Sequence, residues 1–358
     1  MTAPQGSTDR GPLARLRQAG FAAAAAACVL ASGCGRPPAH HAQAMVFGTL
    51  VDIRIHGVDP ARADDAAARV FADFERMHRS LHPWHAGALG RINGLLPTGE
   101  WASVAPSNLP LIERSIEMSR RSGGLFNPAI GRLIGLWGFH DDELPSRPPP
   151  SDAVQRLLDL DPRMSDLELD GIRIRSRNPA VQLDLGAIAK GHAVDTGIER
   201  LRAEGIRNAI INAGGDLRAI GSKDGEPWHI GIRAPRGGGI LAALDIENDE
   251  SVFTSGDYER YFEHEGSRYH HILDPRTGRP ARGLVSVTVL HDNGTEADAA
   301  ATAIFVAGPG AWRDMAARLG MDRVMVVTDH GDILLTPAMD ARLRFVDGAA
   351  EPVVVGAH

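Results

Sequence analysis

The chain has 358 residues, 43% of them apolar, and a net charge of −7. That length accommodates one large domain or two ordinary ones, with enough apolar residues for a sizeable core. The acidic balance leaves no global basic field, which excludes the electrostatic footprint of a nucleic-acid binder.

Arg10, Arg15 and Arg17 precede an uncharged stretch, Gln18 to Ala31, shorter than the roughly 20 residues of a bilayer span. It ends in Leu30-Ala31-Ser32-Gly33-Cys34, small residues before a cysteine that resemble a bacterial lipobox. The usual order puts the leucine three positions before the cysteine, and Leu30 is four before. Residues 1–33 therefore read as a lipoprotein signal peptide with Cys34 as the lipidated residue. The alternative is an ordinary cleaved signal with an incidental Cys34. Lipidation at Cys34 removes Cys28 with the signal and leaves no free thiol. The chemistry then falls to oxygen and nitrogen groups.

Residues 34–44, rich in Pro, His and Ala, read as a tether to a domain over 45–350. Met45 to His56 alternates apolar and polar and predicts a first strand. Ala67, Val70, Phe71, Phe74, Met77 and Leu81 recur at helical spacing within Ala61 to Leu81, and Pro83 stops that helix. A second helix is predicted from about Ser107 to Arg121, ended by Gly123-Gly124. Asp141 to Pro150 reads as a surface excursion. Strands are expected around Leu167–Arg175 and Val181–Leu183, then a helix over Gly186–Glu204. Further strands fit Ala209–Asn212, Leu217–Ile220, His229–Arg233, Gly239–Ile246, Tyr258–His264 and Val285–Leu290. Helices at Ala297–Val306 and Ala311–Leu319 and a hairpin from Val324 to Leu335 complete the chain. The mixture predicts an α+β fold with largely antiparallel sheet.

Five segments carry residues suited to chemistry. In Asp184-Leu185-Gly186-Ala187-Ile188-Ala189-Lys190 a strand gives way to a helix start, whose unpaired amides and dipole suit phosphate, with Lys190 as a nearby charge. A plain N-cap with a solvent lysine explains it as well. Asn212-Ala213-Gly214-Gly215-Asp216 offers close backbone approach or simply a tight turn. His271, before the Asp274-Pro275 turn, is either a base for a hydroxyl or a structural histidine. Asp298 and Thr302, four apart on one helix face, form a partial shell for a hard cation or an ordinary helix-start charge and core threonine. The aromatic and glycine residues from Phe126 to Phe139 line a flat ligand or fill a core.

Six blocks in order, FNPAIGRLIGLWGF, LDLGAIAKGHAVD, NAGGDLRAIG, FTSGDYERYF, HHILDPRTGRP and EADAAATAIFVAG, make the chain resemble the ApbE family of FAD:protein FMN transferases. The resemblance runs from about Val46 to the Ile333 strand. It implies an ApbE-like, T-fold-type single large catalytic domain. It implies FAD as the substrate and Mg²⁺ as the metal. Ala187, through its backbone carbonyl, Asp298 and Thr302 are the implied metal ligands. Phe47, Trp84, Leu125, Phe126, Asn127, Asp184, Lys190 and Ile272 are the implied flavin-nucleotide contacts. His271 and Lys190 are the implied catalytic pair. Two departures from the family pattern stand out: Asn127 replaces the Asp of Phe-Asp-Pro, and Phe47 replaces the Met of Met-Gly-Thr.

The resemblance further implies transfer of FMN from FAD to a Thr or Ser hydroxyl, with AMP leaving. The implied partners are exported redox proteins such as subunits of a sodium-pumping quinone reductase. The expected location is the bacterial cell envelope, lipid-anchored and facing the periplasm. Two alternatives remain at this stage: a pyrophosphatase that splits FAD into FMN and AMP, and a non-catalytic FAD-binding lipoprotein.

Overall fold

The computed structural model describes Thr2 and residues 39–141, 143–246, 248–346 and 351–356. The expected leader, Cys34 and the tether as far as Pro38 lie outside them. Among the described residues no helix is long and apolar enough to cross a membrane.

Strands β1 (His40–Val46) and β2 (Thr49–His56) form an antiparallel hairpin, paired from His40–Ile55 to Val46–Thr49. The single strand expected over 45–56 is thus two, and residues 40–44, expected as tether, belong to the first. Alternation continues across the turn, so periodicity hides it. Phe47 (φ 56°) and Gly48 (φ 71°) make that turn, both with the positive φ of a type I′ hairpin.

The other labelled strands are β3 (Asn208–Ala213), β4 (Asp216–Ile220), β5 (Trp228–Arg233), β6 (Ile240–Ile246), β7 (Asp249–Gly256), β8 (Leu284–His291), β9 (Val324–Thr328), β10 (Ile333–Leu335), β11 (Arg344–Phe345) and β12 (Val353–Val354). A nine-stranded sheet runs β1-β2-β3-β4-β7-β8-β9-β10-β12, antiparallel except for the last pair. A three-stranded sheet, β11-β6-β5, places β5 at its edge.

The labelled helices are α1 (Pro60–Leu81), α2 (Ala88–Leu95), α3 (Leu109–Arg121), α4 (Gly131–Leu136), α5 (Ser151–Asp159), α6 (Gly186–Ala203), α7 (Gly294–Ala307) and α8 (Trp312–Leu319), and one further turn of helix spans Pro337–Asp340. Both faces of the large sheet are covered, which explains why β9 reads as an unbroken apolar run. Val324 and Val326 point to the helical side, where Ile211, Phe253, Val287 and Val289 meet α1, α6 and α7. Met325 and Val327 point to the other side, with Ile210, Val252, Ile230 and Leu244 under the small sheet. A third core joins α4 and α5 to the hairpin 261–270 through Leu133, Trp137, Phe139, Val154 and Phe262.

The α+β, largely antiparallel expectation holds. Several elements differ. Helices α2 and α4 are short and carry two glycines each, which weakens any helical signal. Val181 to Leu183 forms only an isolated bridge from Gln182 to Ile130, because the Asn93 side chain takes both backbone groups of Leu183 at 2.8 and 2.9 Å. Thr254 to Gly256 ends the central strand β7, and the strand expected from Tyr258 starts at Tyr261.

Candidate active site

Segments far apart in sequence converge on one cavity of about 450 Å³. Its walls are the β1–β2 turn at Phe47, the loop from Leu125 to Pro128, the start of α6, the β3–β4 turn at Gly214, the end of β7, the segment His271 to Leu273, and one face of α7. Phe47, Leu125, Phe126, Asn127, Asp184, Ala187, Lys190, His271, Ile272, Asp298 and Thr302 all line it. Trp84 does not. Its ring packs against Gly135 of α4 and against His140, with ring centroids 4.7 Å apart, and so backs the wall that carries Ile134.

At the helix start Asp184 takes the capping role that its sequence offered. The Asp184 Oδ1 accepts from the Gly186 amide at 2.8 Å, tying the end of one segment to the first turn of α6. Burial pushes the Asp184 carboxyl upward. One turn on, the Lys190 ammonium bonds to Asp216. Burial opposes its charge, but the carboxylates of Asp216 and then Asp298 outweigh that effect and raise the Lys190 pKa. Asp216 is buried and also accepts from the Thr254 amide at 2.9 Å, so one carboxylate joins β4, β7 and α6. Sequence reasoning treated its motif as a glycine turn and gave Asp216 no role.

Helices α6 and α7 meet closely. A methyl group on Gly191 would stand 2.3 Å from the Gly294 carbonyl oxygen. At this crossing the Gly191 amide donates to Asp298 Oδ2 at 2.9 Å. That amide is the regular helical donor to the Ala187 carbonyl, so the carbonyl competes with a carboxylate for it. Asp195, the second residue sequence reasoning missed, fixes the start of α7. It accepts from the Gly294 amide at 3.0 Å, the Thr295 amide at 2.8 Å and the Thr295 hydroxyl at 2.7 Å, and Arg218 pairs with it at 2.7 Å. No local pattern marks it, since α6 also carries Lys190, His192, Glu199, Arg200 and Arg202.

Burial raises the Asp298 pKa to about 7; Lys190 opposes the rise and Asp216 and Asp195 add to it. The Thr302 hydroxyl lies 3.3 Å from that of Ser255. The Ala187 carbonyl, the Asp298 carboxylate and the Thr302 hydroxyl are hard oxygen donors on one cavity, and they fit a divalent cation that relieves the buried carboxylate. Among the described residues no group of three His, Cys, Asp or Glu side chains gathers to hold a metal. A cation here would take the rest of its shell from water or ligand oxygens, the habit of magnesium.

His270 and His271 divide their roles. The His270 Nδ1 accepts from the Ile272 amide at 3.3 Å, so its Nε2 donates to the Ala281 carbonyl at 2.9 Å, a wholly structural arrangement. The His271 Nδ1 faces the Arg260 carbonyl at 3.3 Å. That partner places the proton on Nδ1 and leaves Nε2 as an acceptor. Burial, with His270 and Lys190 nearby, lowers the His271 pKa to about 3, so the ring is neutral. Asn127 accounts for its own departure from Asp. Its Oδ1 accepts from the Ala129 amide at 3.2 Å while its Nδ2 donates to the Pro162 carbonyl at 2.9 Å, a bond no aspartate supplies.

Comparison with known proteins gives the family of the chain. Residues 47–325 match the model of the ApbE family. The FAD:protein FMN transferase of Rhodobacter capsulatus is 46% identical over 303 residues, which are 85% of this chain. The chain spans 58% of that relative's length. The FAD:protein FMN transferase of Treponema pallidum is 37% identical over 74% of this chain and 77% of its own. Among solved structures, the ApbE protein of Thermotoga maritima superposes with a TM-score of 0.78 at 32% identity, over 86% of this chain and all of that one. The Pseudomonas stutzeri flavinyl transferase ApbE gives 0.75 at 30% identity, over 86% and 98%. With the family model covering the cavity walls from Phe47 to Thr302, this chain belongs to the ApbE family.

Proposed function

We propose that this protein transfers FMN from FAD to a threonine or serine hydroxyl of exported redox proteins, with AMP as the leaving group and Mg²⁺ required. The carrying observation is that Lys190, Asp298, Thr302, the Ala187 carbonyl and His271 share one cavity. Its volume, about 450 Å³, lies within the usual range for small-molecule sites.

Ala187, Asp298 and Thr302 would hold the cation, which when bound would supply neutralisation of pyrophosphate charge. The start of α6 directs its positive dipole end to phosphate, beside the Gly186 amide that Asp184 holds, and Lys190 adds a point charge there. Asp216 keeps that lysine in place. The neutral His271 accepts the acceptor's O–H at Nε2 and orients its oxygen toward phosphorus. With its pKa near 3, its contribution is alignment and late proton uptake rather than prior deprotonation. Phe47 and Phe139 supply apolar wall for the ring system. A lipid anchor at Cys34 would hold the domain at the cell envelope on the periplasmic side, where exported acceptors meet it.

The test uses the leaderless protein, FAD, Mg²⁺ and the flavin-free carrier domain of a sodium-pumping quinone reductase. The expected result is a mass gain of one FMN less one water on the domain, lost in Asp298→Asn and in His271→Ala. Full transfer by either variant removes that residue from the proposal, and AMP release with no labelled acceptor points to a hydrolase.

A further inference from the structure

Beside the large cavity lies a smaller cleft of about 200 Å³. The two share Lys190, Gly214, Thr254 and Glu259 as a common wall. The cleft is smaller than the roughly 300 Å³ at which cofactor and small-molecule sites begin. Its far wall is strand β5, from Ile230 to Arg233. That strand is the edge of its sheet, and no backbone hydrogen bond joins residues 229–233 to any element but β6 among the described residues. An edge strand offers a row of main-chain donors and acceptors to an added strand.

Two features suit a polypeptide. Gly231 on β5 lines the cleft together with Gly214 and Gly215, and residues without side chains let another main chain approach closely. At the mouth Arg233 pairs with Glu259 and lies over the Tyr258 ring, 4.8 Å from its centroid. We infer that this cleft receives the acceptor protein as an extended segment alongside β5, with its hydroxyl-bearing side chain directed past Glu259 to Lys190. The inference rests on the transferase reading, since only that reaction brings a polypeptide hydroxyl to the cavity.

The experiment first secures an acceptor, the quinone reductase carrier domain, that the wild-type protein labels with FMN. A photo-crosslinking benzoylphenylalanine then replaces Arg233 in one variant and Arg173, in the separate sheet formed by residues 102–103, 167–170 and 173–176, in another. In a third, Gly231→Val places a side chain on β5 at the cleft wall; the atoms nearest its added Cβ belong to Ile240, the closest at 3.0 Å. Expected are cross-links to the domain from position 233 and not from 173, and a rise of about tenfold or more in the acceptor KM of Gly231→Val. FAD affinity, read by flavin fluorescence, stays as in the wild type. Labelling with no cross-link at 233 and an unchanged acceptor KM overturns the docking site. An equal loss of FAD affinity assigns the cleft to the dinucleotide instead. Failure of the wild type to label the domain counts against the transferase reading itself, and the docking site falls with it.

Discussion

Gly191 and Gly294 meet backbone to backbone where α6 crosses α7, and neither position has room for a methyl group: one on Gly294 would stand 2.8 Å from the Phe253 ring. This crossing sets how far the Ala187 carbonyl lies from Asp298 and Thr302. Gly191→Ala therefore separates the helices. It should cost about 1–3 kcal/mol of stability, as overpacked cores do, and should abolish metal-dependent transfer. Gly94→Ala, with open space around its Cβ, is the control and should be neutral or slightly stabilising. Urea unfolding and Mn²⁺ binding followed by electron paramagnetic resonance check both.

Removing the Lys190 ammonium leaves Asp216 buried without its counter-charge. Losing one partner of a fully buried pair costs about 3–5 kcal/mol, and a third of the Lys190 side-chain surface is exposed, so Lys190→Met should cost about 2 kcal/mol. Adding Asp216→Asn should recover part of the loss, because the Asn oxygen still accepts from the Thr254 amide. A double-mutant cycle by denaturant unfolding measures the coupling, and strictly additive effects would contradict the pairing.

The His271 pKa is lowered from an ordinary value of 6.5 to about 3. Between those values the unfolded chain binds the extra proton and the folded one does not, so stability rises with pH through that window and levels above it. His271→Gln should flatten this part of the stability profile. Denaturation midpoints from pH 4 to 8 test it; parallel wild-type and variant profiles would show that the imidazole carries its ordinary pKa in the fold.

Phe47 holds a left-handed backbone (φ 56°), uncommon for a bulky residue, and its ring meets Phe74 at 5.9 Å and His78 at 5.7 Å. Phe47→Gly relieves the strain, roughly 1–2 kcal/mol, but loses the ring contacts. The expected outcome is stability within about 1 kcal/mol of wild type and FAD affinity weakened about tenfold. Calorimetry and flavin titration separate the two effects.

Much of the cavity was legible in the sequence because its groups sit at boundaries with local signatures. Lys190 follows a strand-to-helix junction, Asp298 and Thr302 stack one helical turn apart, and His271 precedes a tight turn. Asp216 and Asp195 were not legible. Their roles come from partners 38 and 100 residues away, Thr254 and Thr295, which no local pattern reveals. The β1–β2 turn was hidden for another reason: a hairpin keeps the period of two across its corner. Trp84 was expected at the flavin from resemblance alone, and the fold turns its ring onto Gly135 instead.

The cavity walls belong to different hydrophobic cores. Helices α6 and α7, with Lys190 and Asp298, rest on the core of the large sheet, whereas Phe139, whose ring meets that of His271 edge-on at 6.5 Å, and Leu273 belong to the α4–α5 cluster. A dinucleotide lying across both would act as a rivet between them. Saturation should therefore move thermal melting to higher temperature, and amide exchange should slow at Phe139 and Leu273 in step with the start of α7.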